Sequence, residues 1–182
     1  MALREILKYP NQLLKERAAP VANLDADVAK LVEDMAETMY AAPGVGLAAT
    51  QVGVGRRIVV LDVHGPDEEP GKRLMKLINP EIAEREGEVV WEEGCLSVPE
   101  LTAPVRRARR VLVRAWTPEE REVEIEAEEL LAVALQHEID HLDGKLFLDR
   151  LSRLKRDIYR ARQRKLERQG RKSGSSARPL LI

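Results

Sequence analysis

Two histidines separated by three residues place the strongest constraint on the fold of this 182-residue chain. His137 and His141 lie in a segment with helical periodicity, and residues four apart stack on one face of a helix. Leu130 and Ala134 precede them on that face, so the two imidazoles continue an apolar stripe and are expected to point inward. The rest of the chain therefore has to fold around this helix and provide partners for two polar rings.

Glu138 completes an H-E-x-x-H pattern, which is typical of helices that bind a catalytic metal ion. Two imidazoles on one turn reach the same ion, and Glu138 beside them can contact a water without being a ligand. A four-coordinate site then lacks one protein ligand. Peptidases that use a third histidine place it where this chain has Phe147. Others use a later acid, and the two acids here, Asp157 and Glu167, lie among arginines and lysines as expected for surface ion pairs.

Cys95 is the single cysteine of the chain, which excludes an intrachain disulfide and a cysteine-rich zinc module. It follows a glycine at the end of a strand-like run, and a thiolate is a strong ligand for zinc or ferrous iron. His64, in a polar loop, remains a second candidate without a supporting pattern. One thiolate, two imidazoles and one open position are typical of catalytic rather than structural metal sites.

Short β-like runs and three helical segments predict an α+β fold. Short antiparallel or mixed sheets are expected to pack around the H-E-x-x-H helix, which begins near Glu128 and ends near Gly144. An N-terminal helix, capped by Asp25, is predicted over about 26–41 and a C-terminal helix over about 149–168. The stripe Leu151, Leu154 and Ile158 predicts the packing face of the last helix. Strands are predicted near 57–63, 74–78, 88–91, 111–116 and 122–125.

Charge divides the chain into two parts. Residues 1–149 hold 18 basic and 29 acidic side chains, whereas residues 150–182 hold 12 basic and 2 acidic ones. We expect a catalytic domain over 1–150, a basic helix over 151–169 and a disordered tail over 170–182. Because no apolar run suits a secretory signal or a membrane span, a cytoplasmic protein without a membrane partner is expected.

Three segments resemble the motifs of the peptide deformylase family. They are Gly44-Val45-Gly46-Leu47-Ala48-Ala49-Thr50-Gln51, Glu93-Gly94-Cys95-Leu96-Ser97 and Gln136-His137-Glu138-Ile139-Asp140-His141-Leu142-Asp143-Gly144. Their order and spacing are as in the family, and the resemblance runs from about Leu3 to about Leu151. It implies a metal-dependent hydrolase that removes the formyl group from the N-formylmethionine of nascent polypeptides and releases formate.

The resemblance also implies a role for each matching residue. The metal ligands would be Cys95, His137 and His141, holding one divalent ion, usually Fe(II), which Zn(II) or Ni(II) can replace. Glu138 would move the proton, and Gln51 with the backbone N–H of Leu96 would stabilise the oxyanion. Gly46 would let the main chain approach the substrate. The residues that can line a methionine pocket, or belong to an ordinary core, are Val45, Leu130, Val133 and Ala134.

One position departs from the family pattern. Many members carry an arginine seven residues after the cysteine, near the main chain of the substrate. This chain has Thr102 there, with Arg106 and Arg107 further along, which affects the expected recognition of the peptide backbone.

The basic C-terminus suggests a second partner. In some relatives a C-terminal helix docks on the ribosome, and residues 150–172 hold 11 basic and 2 acidic side chains. Any RNA contact is expected to be salt-sensitive and independent of nucleotide sequence.

Two alternatives to a deformylase stay open from the residues alone. One is a metallopeptidase that uses the same helix with a third ligand other than Cys95, and the other is a metal-stabilised binding module without activity.

Overall fold

The computed structural model describes residues 2–64 and 68–168, so the predicted tail over 170–182 lies outside the described residues. This part contains three α-helices, which are α1 (Ala26–Ala41), α2 (Glu129–Leu142) and α3 (Arg153–Arg168). Its seven strands are β1 (Gly46–Ala48), β2 (Ile58–Leu61), β3 (Met75–Glu86), β4 (Val89–Cys95), β5 (Val98–Arg107), β6 (Arg110–Trp116) and β7 (Glu122–Glu128). None of the described helices combines the length and the apolar character that crossing a membrane requires.

Five strands form one sheet in the order β1-β2-β3-β6-β7, and β4 pairs with β5 in a separate hairpin. Every ladder between these strands is antiparallel. The predicted α+β fold is therefore confirmed, in its antiparallel form. The strand β5 has no counterpart in the sequence prediction, because Pro99 and Pro104 interrupt its alternation.

The sheet is covered by a helix on each face. Alternate residues of β2 point to opposite sides, so Ile58 and Val60 pack in one cluster with α1 while Val59 and Leu61 pack in another with α2. The side chain of Asp25 caps α1 as predicted, because its Oδ1 accepts a hydrogen bond of 2.8 Å from the backbone N–H of Val28. Strand β2 is consequently buried along its whole length.

Helix α2 is the central element that the sequence predicts. Eleven of its 14 residues are buried. Its apolar side chains join those of the sheet in the main core cluster. Five buried residues of α2 are polar, namely Gln136, His137, Glu138, Asp140 and His141. Buried polar groups need partners, so this helix concentrates the polar interactions inside the domain.

The predicted packing face of α3 is wrong in part. Leu151, just before the helix, is buried, but Leu154 is 71% exposed and Ile158 is 61% exposed. Tyr159 packs instead, with its ring 6.2 Å from that of Tyr9 and its hydroxyl donating to the carbonyl of Pro99 at 3.3 Å. One aromatic side chain brings a large apolar area and a polar tip that finds an acceptor, which the two aliphatic residues do not offer.

Candidate metal centre

The three residues predicted as metal ligands meet inside the protein. The Cys95 Sγ atom and one ring nitrogen from each of His137 and His141 all lie within 4.8 Å of one another. Helix α2 presents both imidazoles one turn apart, and β4 ends at the cysteine. All three side chains are buried, and Sγ lies 3.2 Å from Nε2 of His141.

The donor atoms of this cluster fit a divalent transition metal. Within the described residues, Nε2 of His137 and Nδ1 of His141 are buried without a hydrogen-bond partner. Burial, followed by the charge of His137, lowers the pKa of His141 well below its usual value, so the ring is in the neutral form that binds metal. Burial also raises the pKa of the Cys95 thiol, a preference that a cation beside the sulfur reverses. Thiolate and imidazole donors suit iron, zinc and nickel better than calcium or magnesium.

Glu138 lies beside the cluster, and the environment of its carboxylate is unusual for a group that can carry a charge. It is fully buried, and neither of its carboxylate oxygens has a hydrogen-bond partner among the described residues. Burial raises its pKa well above the usual value. The backbone of β1 passes directly over the carboxylate, because a Cβ atom on Gly46 would lie 2.5 Å from Oε1 of Glu138. Glycine is therefore the residue that this close approach allows.

The two residues predicted to stabilise the oxyanion, Gln51 and Leu96, are both buried. The side-chain Nε2 of Gln51 lies 3.2 Å from the Ser97 hydroxyl and 3.8 Å from Sγ of Cys95, while its Oε1 accepts from the backbone N–H of Ala48 at 2.8 Å. Leu96 lies in the tight turn between β4 and β5 and is 5% exposed. The fixed orientation of Gln51 aims its NH₂ group at the sulfur side of the centre.

The N-terminal arm, which comprises residues 2–23, joins the two segments that carry these donors. The backbone N–H of Leu7 donates to the carbonyl of Gln51 at 2.8 Å, and that of Tyr9 donates to the carbonyl of Ser97 at 2.8 Å. The arm thus ties the two segments together by hydrogen bonds, and the side chain of Lys8 adds one to the carbonyl of Leu96.

Three of the four predicted pocket residues lie together. Val45, Val133 and Ala134 are buried in the same apolar cluster, whereas Leu130 is half-buried and outside it. This arrangement agrees with an apolar pocket and with an ordinary core alike.

Two charged residues without a predicted role support the centre. Glu93 Oε2 lies 2.8 Å from Nδ1 of His137, so the carboxylate accepts the ring N–H and leaves Nε2 directed at the cluster. Arg107 grips the same carboxylate with two donors, at 2.6 and 2.9 Å. Burial raises the pKa of Glu93, but the hydrogen bonds from Arg107 and His137 outweigh it and hold the pKa at about 2. Glu93 is therefore a carboxylate that orients the ring of His137.

The sequence carries a signal for only one of this pair. Glu93 stands only two residues before Cys95 in β4, so its proximity to the cluster could have been predicted from the sequence. Arg107 is fully buried on β5, where the hairpin register pairs it with Val89 rather than with Glu93, so the contact is made by its long side chain. Arginine is rarely buried, and its position has no local signature.

The remaining candidates lie outside the cluster. His64 pairs with Asp62, with Nδ1 and Oδ1 3.6 Å apart. Asp157 pairs with Arg153 on α3 at 3.7 Å. Phe147, in the position where some peptidases have a histidine, stacks on the His137 ring with centroids 6.2 Å apart. It forms an apolar wall behind that ligand rather than providing a donor.

The arginines near Thr102 are both occupied. Thr102 itself is half-buried on β5. Arg106 is exposed and lies 3.6 Å from Glu88, and Arg107 points into the buried ion-pair cluster.

Comparison with known proteins agrees with this geometry. The family model described as polypeptide deformylase matches residues 3–157. A peptide deformylase of Alkalilimnicola ehrlichii is 55% identical over 171 residues, which cover 94% of each chain. The crystal structure of a peptide deformylase from Legionella pneumophila has 46% identity and a TM-score of 0.85, covering 94% of this chain and 100% of that one. A peptide deformylase from Acinetobacter baumannii bound to Met-Ala-Ser has 34% identity and a TM-score of 0.78, covering 82% of this chain and 99% of that one.

Proposed function

The chain belongs to the polypeptide deformylase family, whose members are hydrolases that remove the formyl group from N-formylmethionine, and on that premise we propose which residues carry the reaction. The observation that best supports this proposal is the buried cluster of Cys95, His137 and His141, beside which the carboxylate of Glu138 has no hydrogen-bond partner among the described residues. The metallopeptidase alternative requires a third ligand other than the cysteine, and within the described residues only this set could hold a metal.

We propose that Cys95, His137 and His141 hold one divalent ion, Fe(II) in the cell, with Zn(II) or Ni(II) able to replace it. When bound, such an ion lowers the pKa of a water and polarises a carbonyl group as a Lewis acid. The protein keeps the ligands buried and, through Glu93, fixes the orientation of His137.

Glu138 is proposed as the proton carrier. Its buried carboxylate has no hydrogen-bond partner within the described residues, so it is free to accept a proton from the attacking water and deliver it to the leaving amine. Burial raises the pKa of this carboxyl well above its usual value, so the group holds a proton more strongly than an exposed glutamate does. Gly46 maintains the space above it.

Gln51 and Leu96 are proposed to stabilise the negative charge that develops on the formyl oxygen. The side-chain NH₂ of Gln51 lies near the sulfur and is held by contacts with Ala48 and Ser97, and Leu96 follows Cys95 directly in the sequence, which supports this role for both donors. The methionine side chain would lie against the apolar group Val45, Leu130, Val133 and Ala134. A peptide beginning with methionine is the ligand in the Acinetobacter baumannii structure.

Formate release from formyl-Met-Ala-Ser tests this function. The enzyme is loaded anaerobically with Fe(II), or with Ni(II) in air, and formate is measured against the metal-free protein. We expect metal-dependent release of one formate per peptide and no cleavage of internal peptide bonds. Absence of formate with metal bound would contradict the deformylase activity. Cleavage of the internal bonds would favour a metallopeptidase, and metal binding without either reaction would favour a binding module.

We also propose that 1–150 is the catalytic domain and that the basic helix α3 contacts ribosomal RNA in the cytoplasm. The support is its exposed basic surface, which includes Arg153, Lys155, Arg162, Arg164 and Lys165. Phosphate contacts of this kind weaken with salt and do not depend on nucleotide sequence. Co-sedimentation with ribosomes should fall for the double variant K155E/R164E and for the wild type in raised salt. Unchanged association of the variant would contradict this proposal.

A further inference from the structure

Arg150 lies outside the three sequence motifs, yet it is connected to the metal centre. Its Nε donates to Oδ2 of Asp140 at 2.6 Å and its Nη2 donates to Oδ1 at 2.7 Å. The same Oδ2 accepts from Nη1 of Arg107 at 2.5 Å, and Arg107 in turn grips Glu93 with two donors. Because Glu93 holds the ring of His137, four charged side chains lead from the protein surface to a metal ligand.

We propose that Arg150 is a positioning residue for the metal centre, acting through Asp140 and Arg107 on the carboxylate that orients His137. This inference rests on the proposed function, in which His137 is a metal ligand.

The balance of charge among the four linked side chains explains why Arg150 is needed. Two carboxylates and two guanidinium groups are matched, and exposure of the side chains falls from 39% at Arg150 to 9% at Asp140 and zero at Arg107 and Glu93. Without Arg150, two carboxylates share one guanidinium group, and Oδ1 of Asp140 loses the donor it has in the described structure. A buried carboxylate with an incomplete set of partners is costly, so Arg107 is expected to move toward Asp140.

A shift of Arg107 reaches the metal ligand in one further step. Glu93 Oε2 accepts from both Arg107 Nη2 and the His137 ring, so a weaker grip on the carboxylate loosens the ring as well. Loss of a group that orients a ligand typically reduces metal affinity by about 10- to 100-fold. Arg150 acts at greater distance, and we therefore expect the lower end, about 10-fold.

A purely structural role for Arg150 is the alternative, and the chain offers a matched control for it. Lys15 forms an ion pair with Asp149, the neighbour of Arg150, and so ties the same turn to the N-terminal arm. Lys15 is 38% exposed, close to the 39% of Arg150. Asp149 keeps its hydrogen bond from the backbone N–H of Leu146 when Lys15 is replaced. The variant K15M therefore removes the ion pair between Lys15 and Asp149, and it leaves the hydrogen bonds that link Arg150 to His137 in place.

The experiment compares the full-length wild type with R150M, R150K and K15M. Metal-free protein is titrated with Zn(II) and with Co(II) in competition with a chromophoric chelator, and the Co(II) absorption spectrum and the urea midpoint of the metal-free protein are recorded. We expect R150M to bind both ions about 10-fold more weakly and to change the Co(II) spectrum, while K15M keeps wild-type values. R150K retains the charge but not the two-pronged contact, so it should fall between them.

Each of the other outcomes contradicts either the inference about Arg150 or the proposed metal centre. Unchanged affinity and spectrum in R150M would overturn the inference whatever happens to stability, and so would equal weakening in R150M and K15M. If R150M does not fold, the difference between R150K and K15M decides in the same way. A wild type that binds neither ion would overturn the proposed metal centre itself.

Discussion

Helices α2 and α3 have similar lengths and opposite environments. Eleven of the 14 residues of α2 are buried, and five of those are polar. In α3, Tyr159 is the one buried residue among those whose side chains the structure describes. A buried polar side chain needs a specific partner at a specific distance, whereas an exposed charge is satisfied by water. The geometry of α2 is therefore strongly determined, and that of α3 depends on few contacts.

The difference also shows where chemistry takes place on α2. Asp140 is paired with two arginines, and His137 is paired through Nδ1 with Glu93. The atoms of α2 left without partners in the described structure are Nε2 of His137, Nδ1 of His141 and both oxygens of Glu138. All four belong to the rings of the two predicted histidine ligands or to the carboxylate that follows His137 in the sequence. In a helix where other buried polar groups are satisfied, such unpaired groups mark a reactive site.

The largest effect is expected at Glu138. The substitution Glu138→Gln keeps the shape of the side chain but removes the group that accepts the proton, so kcat/KM should fall by about 10²- to 10⁴-fold with the metal content unchanged. Formate release and metal analysis measure the two quantities. Glu129→Gln, at an exposed position of the same helix, is the control and should retain wild-type activity. Full activity of the Glu138 variant with metal bound would exclude the proposed proton carrier.

The buried charges give the next effect, on stability. Arg107→Met leaves the carboxylates of Glu93 and Asp140 without their shared partner, and breaking a buried ion pair from one side costs about 3–5 kcal/mol. Urea unfolding of the metal-free protein measures the loss. Arg106→Met removes the neighbouring arginine, which is 71% exposed and should change the free energy of unfolding by less than about 0.5 kcal/mol. Similar losses in both variants would mean that burial does not distinguish the two arginines.

A backbone substitution tests how tightly the active carboxylate is enclosed. The Cβ of Gly46→Ala would lie 2.5 Å from Glu138 Oε1, so the carboxylate or the strand has to shift. Because a displacement of about 1 Å can cost about 10²-fold in rate, kcat/KM should fall by that order while metal content is retained. Gly55→Ala is the control, since a Cβ there meets no atom within 4 Å. Equal activity of the two variants would show that the site has room to relax.

The sequence predicts the elements whose signals are local. Asp25 before a helical stripe predicts α1, and the inward stripe that ends in two histidines predicts the buried central helix. The sequence does not predict β5, because its prolines hide the alternation of apolar and polar residues, although pairing with β4 stabilises the strand. Periodicity predicts the packing face of α3 as Leu151, Leu154 and Ile158, but packing selects the aromatic side chain that meets Tyr9.

For the site, spacing in the sequence predicts the two histidines, and the motif resemblance implies Cys95 and Gln51, which the fold brings close together. The ion pairs behind them, which connect Arg107 to Glu93 and Asp140, are not predictable from the sequence. Arg107 is 14 residues from Glu93 and 33 from Asp140, and no local pattern connects such distant partners. A buried arginine also contradicts the ordinary preference of that residue for the surface, so its role emerges only from the fold.

A smaller effect is expected where α3 contacts the domain. Tyr159→Ala removes a side chain that is 4% exposed and packs near Tyr9, and the loss of that burial should cost about 2 kcal/mol. Thermal unfolding of the metal-free protein and proteolysis of α3 measure the loss, while kcat/KM should remain unchanged because the ring of Tyr159 packs near Tyr9 and its hydroxyl donates to the carbonyl of Pro99. Tyr159→Phe, which keeps the ring, should recover most of the stability. A stable Tyr159→Ala variant would mean that other contacts hold the helix.

The smallest effect distinguishes the observed packing of α3 from the packing that its periodicity predicts. Leu154 and Ile158 are 71% and 61% exposed, so the double variant L154S/I158S should change the free energy of unfolding by less than about 0.5 kcal/mol. If the apolar stripe were the packing face, the same variant would lose the burial of two large aliphatic side chains, about 3 kcal/mol or more. Urea unfolding, run beside Tyr159→Ala, separates the two values clearly. A loss greater than that of Tyr159→Ala would mean that α3 packs like α2, through a stripe of apolar residues, and that the contrast between the two helices does not hold.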